Sequence, residues 1–480
     1  MRSRGRTAGR RRLAIAGVAL IVLIAVLIVV LTVSGGKSGP PPLPLPGIGQ
    51  PAKPGDPFAY VASRESDFVA RAIDGTDHAL FVKSPGGALA TAARVSAFRP
   101  MIDAAVAGTG IDPNMLEALV FVESAGRPGV IAGVDPVDAS GLTQILASTG
   151  QSLLGMHINL ARSRRLTGQI DAAALRGQNG RVARLERQRA AIDDRFNPTK
   201  ALAASVRYLR IAERDLGRTD LAFESYHMGI GNLQRELDLY DGGHAVPYPQ
   251  LYFDTAPDHN RAAYDLISSF GDDSSLYYWR LLGAERVMRL YRTDRAELDR
   301  LSALQTTVDS NAYVLHPPDA VRAFATPDAL DRAYAARAIL PLPSNARALG
   351  LAYDPGIGSL ASQLHVKPAL YRGLRPAALD LLVELAARVR TLSGGLAPLR
   401  VTSAVSDLRY QQALGITDLP AAAGWSFTIA RRYVNRTQAD AFQAMLDRLQ
   451  ALDLIAWERF PSEIEVTVAS DASQALVHGP

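Results

Sequence analysis

The apolar positions of this chain change period along its length. Leu13 to Val33 is a run of 21 residues without a charge. As a helix it would span roughly 32 Å at about 1.5 Å per residue, enough for the hydrocarbon of a bilayer. From residue 98 to 300 the apolar residues recur at three-and-four spacing, which predicts helices. One is well delimited: Asp112 suits the N-cap, Pro113 the first helical position, and Gly126 with Pro128 the stop. From residue 351 the periods mix. Helices are predicted at Pro376–Ser393 and Thr437–Leu452, and strands at Leu399–Ala404, Trp425–Ile429 and Ile464–Ala469. The expected fold is mainly α: an all-α domain and a smaller α+β C-terminal domain, after a single N-terminal transmembrane helix.

These patterns divide the chain into a basic tail at 1–12, a transmembrane helix at 13–33, a Pro/Gly-rich linker at 34–57, a lead-in segment at 58–97 with a hairpin expected around Pro85-Gly86-Gly87, an all-α domain at 98–300, a connector at 301–350 and the α+β domain at 351–480. A cleaved signal peptide is the alternative for the apolar run. Its core should be about 7–15 residues followed by a small-residue cleavage site, and Thr32-Val33-Ser34-Gly35 fits that poorly. Arg2, Arg4, Arg6, Arg10, Arg11 and Arg12 should stay cytoplasmic, which puts the folded domains outside a cell membrane crossed once.

Composition narrows the function. At 480 residues, 48% apolar and 21% charged, the chain has material for more than one core. The net charge of +5 would suggest nucleic acid, but six of the 52 Lys and Arg lie in the tail and the rest are balanced by 47 Asp and Glu. No basic groove is implied, and no nucleic-acid partner is expected. With no cysteine, disulfides, thiolate zinc sites and thiol catalysis are excluded.

One carboxylate stands out. Leu116, Leu119, Val120 and Glu123 share a face of the Asp112-capped helix, so Glu123 sits on an apolar stripe. Burial disfavours the charged form, which would raise its pKa and suit it to general-acid catalysis. The structural alternative is a last-turn Glu that reaches solvent or bonds a neighbouring amide. No second carboxylate at a useful spacing pairs with it, because Asp135 and Asp138 read as loop and cap residues.

Glu123-Ser124 is followed by Ser140-Gly141-Leu142-Thr143-Gln144, by Asn197-Pro198 with Ala201, Ala204 and Tyr208-Leu209, and by Tyr226-His227-Met228-Gly229. In this order, over roughly residues 98–292, the blocks resemble the soluble lytic transglycosylase domain of the lysozyme-like superfamily. The resemblance implies a lysozyme-like all-α catalytic domain, peptidoglycan glycan strands as substrate and Glu123 as the single catalytic acid, with no metal and no cofactor. It also implies sugar contacts from Ser140, Gly141, Gln144, Tyr226, His227 and Gly229. Glu123 would protonate the oxygen between MurNAc and GlcNAc, then accept the proton of the MurNAc 6-hydroxyl as the 1,6-anhydro ring closes. Thr143 stands where the family has Met, and His227 where it has Asn. Ser140 and Tyr226 could also be structural, capping and orienting the Glu123 helix. A non-catalytic wall-binding or assembly protein is the alternative from another class, and a lysozyme that uses water is a third.

An insertion at 151–196 carries Arg162, Arg164, Arg165, Arg176, Arg181, Arg184, Arg187, Arg189 and Arg195. It reads as two polar helices, either a basic wall toward an anionic polymer or a solvated hairpin offset by Glu186, Asp193 and Asp194, the reading that charge runs favour. Tyr277, Tyr278 and Trp279 open a later helix whose rings either stack on sugars or fill the core; the core is favoured.

In the C-terminal domain, Thr402–Asp407 with Tyr410-Gln411, Gly424–Ile429 and Glu463–Val466 resemble the zinc D-alanyl-D-alanine carboxypeptidases. The ligand positions of that family fall on Ala421, Thr428 and, approximately, Glu465. This implies a degenerate, catalytically inactive module without the zinc site. Peptide-stem binding and mere packing both stay open for it.

Overall fold

The computed structural model describes residues 56–477 apart from 272, 396 and 397. The basic tail, the predicted transmembrane helix and nearly all of the linker lie outside the described residues. Among the described residues no helix is long and apolar enough to cross a membrane. The chain is mainly helical, with a small sheet in its C-terminal part.

The helix that carries Glu123 spans Pro113–Ser124. The Asp112 side chain accepts from the Asn114 N–H at 2.8 Å, and Pro113 enters where no donor is needed. The stop comes one residue before the predicted glycine: Ala125 takes the left-handed conformation at φ 54, its N–H returning to the Phe121 carbonyl. Gly126 follows at φ +71, and a Cβ there would lie 2.9 Å from the Val95 amide nitrogen, so the glycine admits the neighbouring helix. The Glu123 helix packs against Tyr277–Thr293, and Pro198–Leu216 packs against Arg99–Val106 and Thr219–Met228. Trp279 is fully buried in this core, with Tyr248, Tyr252 and Phe253 around its ring.

The insertion folds as the helical hairpin Leu160–Ala174 and Asn179–Ala190 around a small core of Leu166, Ile170, Ala173 and Leu185. Seven of its nine arginines are exposed, as a solvated hairpin requires. Arg189 and Arg195 depart from that pattern, being 3% and 0% exposed.

Two expectations about the joining segments need correction. The lead-in has no β-hairpin; Ser84–Gly87 is a turn between helices His78–Val82 and Ala88–Ser96, with Gly86 and Gly87 at positive φ. Nor is 301–350 a mere connector, since helix Ser310–Leu315 packs onto two strands of the C-terminal sheet. The lead-in is equally integral. Helix Glu65–Thr76 packs on both Tyr277–Thr293 and Arg436–Ala451, and a Cβ at Gly75 would fall 2.0 Å from the Gln450 carbonyl oxygen. Arg71 pairs with Asp471 at 2.7 Å, and Arg448 with Asp56 at 2.7 Å.

The C-terminal sheet has strand order Leu351–Tyr353, Leu399–Ser403, Ser426–Ala430, Glu463–Val468, Ile455–Arg459. The first pair is parallel and the others antiparallel. Helices Pro376–Leu392 and Arg436–Ala451 pack against each other and against the sheet. The period of two is clear on Glu463–Val468: Ile464, Val466 and Val468 are in the core, while Glu463, Glu465 and Thr467 turn to the opposite face.

Candidate active site

Glu123 ends an apolar face. Leu116, Leu119 and Val120 are sealed in the core, and Glu123, in the last turn, is half-buried. Its Oε1 accepts a 2.5 Å hydrogen bond from the Tyr277 hydroxyl. Burial pushes the carboxyl up to about 7, against the Tyr277 bond, which favours the charged form. No other carboxylate among the described residues contributes to that shift. The group therefore keeps much of its proton near neutral pH while part of its surface reaches solvent. Tyr277 stays a donor, because its burial and the charge of Glu123 both raise the phenol's pKa.

Helix Thr219–Met228 supplies the opposite side. The exposed His227 ring stacks on Tyr277 with centroids 5.2 Å apart and planes 13° apart. Tyr226, half-buried, does not hold Glu123. Its hydroxyl donates to the Thr143 carbonyl at 2.8 Å and lies 2.9 Å from Ser205 Oγ. Burial first, then the charge of Glu123, raises its phenol pKa, which places it in the electrostatic neighbourhood of the acid. Gly229, at φ 89, ends the helix and lets the chain turn into Ile230–Asp241.

The turn at 140–145 is closed by paired backbone bonds between Ser140 and Ile145. Gln144 sits at φ 48, and its Nε2 donates to the carbonyls of Gly141 at 2.8 Å and Val130 at 3.2 Å, so its amide braces the loop. Gly141 has φ +85, and a Cβ there would stand 1.9 Å from the Arg195 carbonyl oxygen. Ser140 is corrected as a sugar contact. It is 1% exposed and donates to the Asp138 carbonyl, which closes the turn from inside.

The structure thus joins Glu123, Tyr226 and His227 around Tyr277, and ties Gly141 and Gln144 to them through the Tyr226–Thr143 bond. A groove of about 850 Å³ begins three residues beyond Glu123, between Gly126–Val134 and the insertion hairpin, with Arg94, Arg127 and Arg189 in its lining. Tyr277 is the functional residue that the sequence pattern missed. It lies 154 residues from Glu123, in an aromatic run whose neighbour Trp279 is core, so spacing could not single it out.

Thr143 buries its hydroxyl with no hydrogen-bond partner among the described residues. Replacing it by the near-isosteric valine removes an unsatisfied polar atom. Thr143→Val should therefore stabilise the protein by about 1 kcal/mol, read as a raised urea midpoint. A lowered midpoint would show that the hydroxyl has a partner in solution.

In the C-terminal domain, Ala421, Thr428 and Glu465 are among the residues that line one groove. Among the described residues no three His, Asp or Glu side chains are grouped to hold a metal ion.

No protein-family model matches this chain, and no curated protein is significantly similar to it in sequence.

Proposed function

We propose that this chain is a membrane-anchored lytic transglycosylase, with a lysozyme-like domain at 98–300 held outside the membrane, which cleaves peptidoglycan glycan strands between MurNAc and GlcNAc. One observation carries the reading: a lone carboxyl in an apolar setting, with its pKa near 7, bonded to a buried phenol and still reachable from solvent. Glu123 donates its proton to the glycosidic oxygen, and the conjugate carboxylate then takes the proton of the MurNAc 6-hydroxyl as that oxygen attacks C1. One group serves as acid and then base, so the absence of a carboxylate partner among the described residues fits this chemistry better than a two-carboxylate hydrolysis. Tyr277 positions the acid, and the Gly141–Gln144 turn shapes the wall beside it. A wall-binding protein that only holds glycan would derive little from a carboxyl desolvated in this way.

Mass spectrometry of sacculi digested by the full-length protein tests the reading. Anhydro-ended muropeptides are expected; hydrated ends would make the protein a lysozyme, and no release would make it a binding protein.

Tyr277→Phe has a signed effect. The hydroxyl lowers the Glu123 pKa, so removing it should raise that pKa further. The acid then holds its proton longer, and the basic limb of kcat/KM should move to higher pH by about half to one pH unit. An unmoved or acid-shifted limb would assign the limb to another group.

A further inference from the structure

Helix Tyr277–Thr293 carries the phenol that bonds Glu123, yet the residue before it, Leu276, provides no side-chain cap. A neighbouring helix supplies the acceptor. Glu224, on Thr219–Met228, accepts from the Tyr278 N–H through Oε2 at 2.8 Å. On the other side of Tyr277, the Tyr248 hydroxyl donates to the Ser275 carbonyl at 2.7 Å. Glu224 and Tyr248 are both completely buried, so the backbone flanking Tyr277 is held at one donor and one acceptor. Glu224 and His227 stand three residues apart and share a side of their helix. That side meets Tyr277 twice, at the backbone amide that follows it and through the ring that His227 stacks on.

No ion pair neutralises Glu224 among the described residues. Arg280, the cation that acts on it, makes its own ion pair with Asp273 at 2.6 Å. Glu224 Oε1 is buried without a partner among the described residues, and so are both oxygens of Glu236, a second fully buried carboxyl near it. Charge on two such groups would be desolvated without compensation. Burial holds the Glu224 carboxyl well above the usual carboxylate range, against the Tyr278 N–H, and Glu236 adds to the rise. An uncharged carboxyl suits the place. It accepts from Tyr278 through one oxygen and has a proton to give to the Tyr248 oxygen beside it, whose own proton goes to Ser275.

We propose that Glu224, held as an uncharged acid, is a positioning residue for the glycan-cleaving site: it fixes the start of helix Tyr277–Thr293 and so the aim of the Tyr277 hydroxyl at Glu123. It touches neither the substrate nor the transferred proton. The inference rests on the role given to Glu123 above.

Kinetics of the full-length protein on sacculi test it. Glu224→Leu leaves the Tyr278 N–H without its acceptor, so kcat should fall by about tenfold or more with KM within about twofold of the parent. The basic limb of kcat/KM should move to higher pH by about half to one pH unit, as Glu123 loses the hydroxyl that lowers its pKa. On the Tyr277→Phe background the same change should move the limb no further. Glu224→Gln can still accept from Tyr278 and donate through its amide. It should keep the limb in place and kcat within about threefold of the parent, with a urea midpoint raised at about pH 8 and not at about pH 4.5, because a buried acid has gone. A limb unmoved in Glu224→Leu, a limb that moves again on the Tyr277→Phe background, or a Glu224→Gln variant that behaves as Glu224→Leu does overturns the proposal. If Glu224→Leu does not fold, the glutamine variant decides alone. A parent that releases no muropeptides refutes the functional reading and still leaves this inference decidable. The difference in urea stability between each protein and its Glu123→Gln counterpart, followed with pH, reports the Glu123 pKa without catalysis. That pKa should rise in Glu224→Leu and stay in place in Glu224→Gln.

Discussion

Glu123→Gln should abolish most glycan cleavage and stabilise the protein in the same step. The rate loss expected from removing a general acid that also acts as base is about 100- to 10,000-fold. The gain in stability follows from the same burial. In the unfolded chain the carboxyl titrates at its ordinary value near 4.5, and in the folded protein at about 7. Between those values the folded state binds the extra proton, so stability falls as pH rises through the window and stays lower above it. Glutamine keeps the shape and can still accept from Tyr277, but carries no charge to desolvate. The variant should gain about 1–3 kcal/mol over the parent at pH 8 and almost nothing at pH 4.5. Urea unfolding at the two pH values reads both numbers. A gain that is the same at both would mean that desolvation of the carboxylate is not its source, and full cleavage activity would remove Glu123 from the chemistry.

The elements that the sequence makes legible are those with strong local signals. The helix predicted at Pro376–Ser393 is found at Pro376–Leu392, and the strand predicted at Ile464–Ala469 at Glu463–Val468. Both have a clear period, and the helix begins at a proline. Strand Ile455–Arg459 was missed because it is a sheet edge that ends in Trp457-Glu458-Arg459, exposed enough to blur the alternation. Strand Leu351–Tyr353 is too short to show a period. The site divides in the same way. Glu123 announces itself because its helix is well capped and its face apolar. Tyr277, Arg195 and Glu224 depend on pairings between distant segments, for which no spacing rule exists. Ser140 shows the opposite error: a residue inside a motif that reads as a sugar contact is spent on the turn itself.

Arg195 was read as one of a run of charges on a solvated hairpin, and its replacement should have the largest effect on stability in this domain. The side chain is completely buried, and its guanidinium makes five hydrogen bonds: two to the Asp193 carboxylate at 3.0 and 2.8 Å, and one each to the carbonyls of Pro136, Asp138 and Ile145. Those carbonyls belong to the segment that forms the Gly141–Gln144 turn, so one cation sets the position of the cleft wall. Arg195→Met keeps the bulk but leaves Asp193 charged and fully buried, with the Ser163 hydroxyl as its remaining side-chain donor. Breaking a buried pair from one side costs about 3–5 kcal/mol, more than the intact pair contributes. The double variant Arg195→Met, Asp193→Leu removes the stranded charge and should recover part of that loss. It cannot recover all of it, because the three carbonyls stay without their donor. Denaturant unfolding of the two singles and the double gives the coupling directly, and a loss under about 1 kcal/mol in Arg195→Met would show that the pair is not buried in solution. Cleavage should fall in both variants even well below the unfolding midpoint, since a Gly141–Gln144 turn released from Arg195 no longer holds the Thr143 carbonyl in place for the Tyr226 hydroxyl.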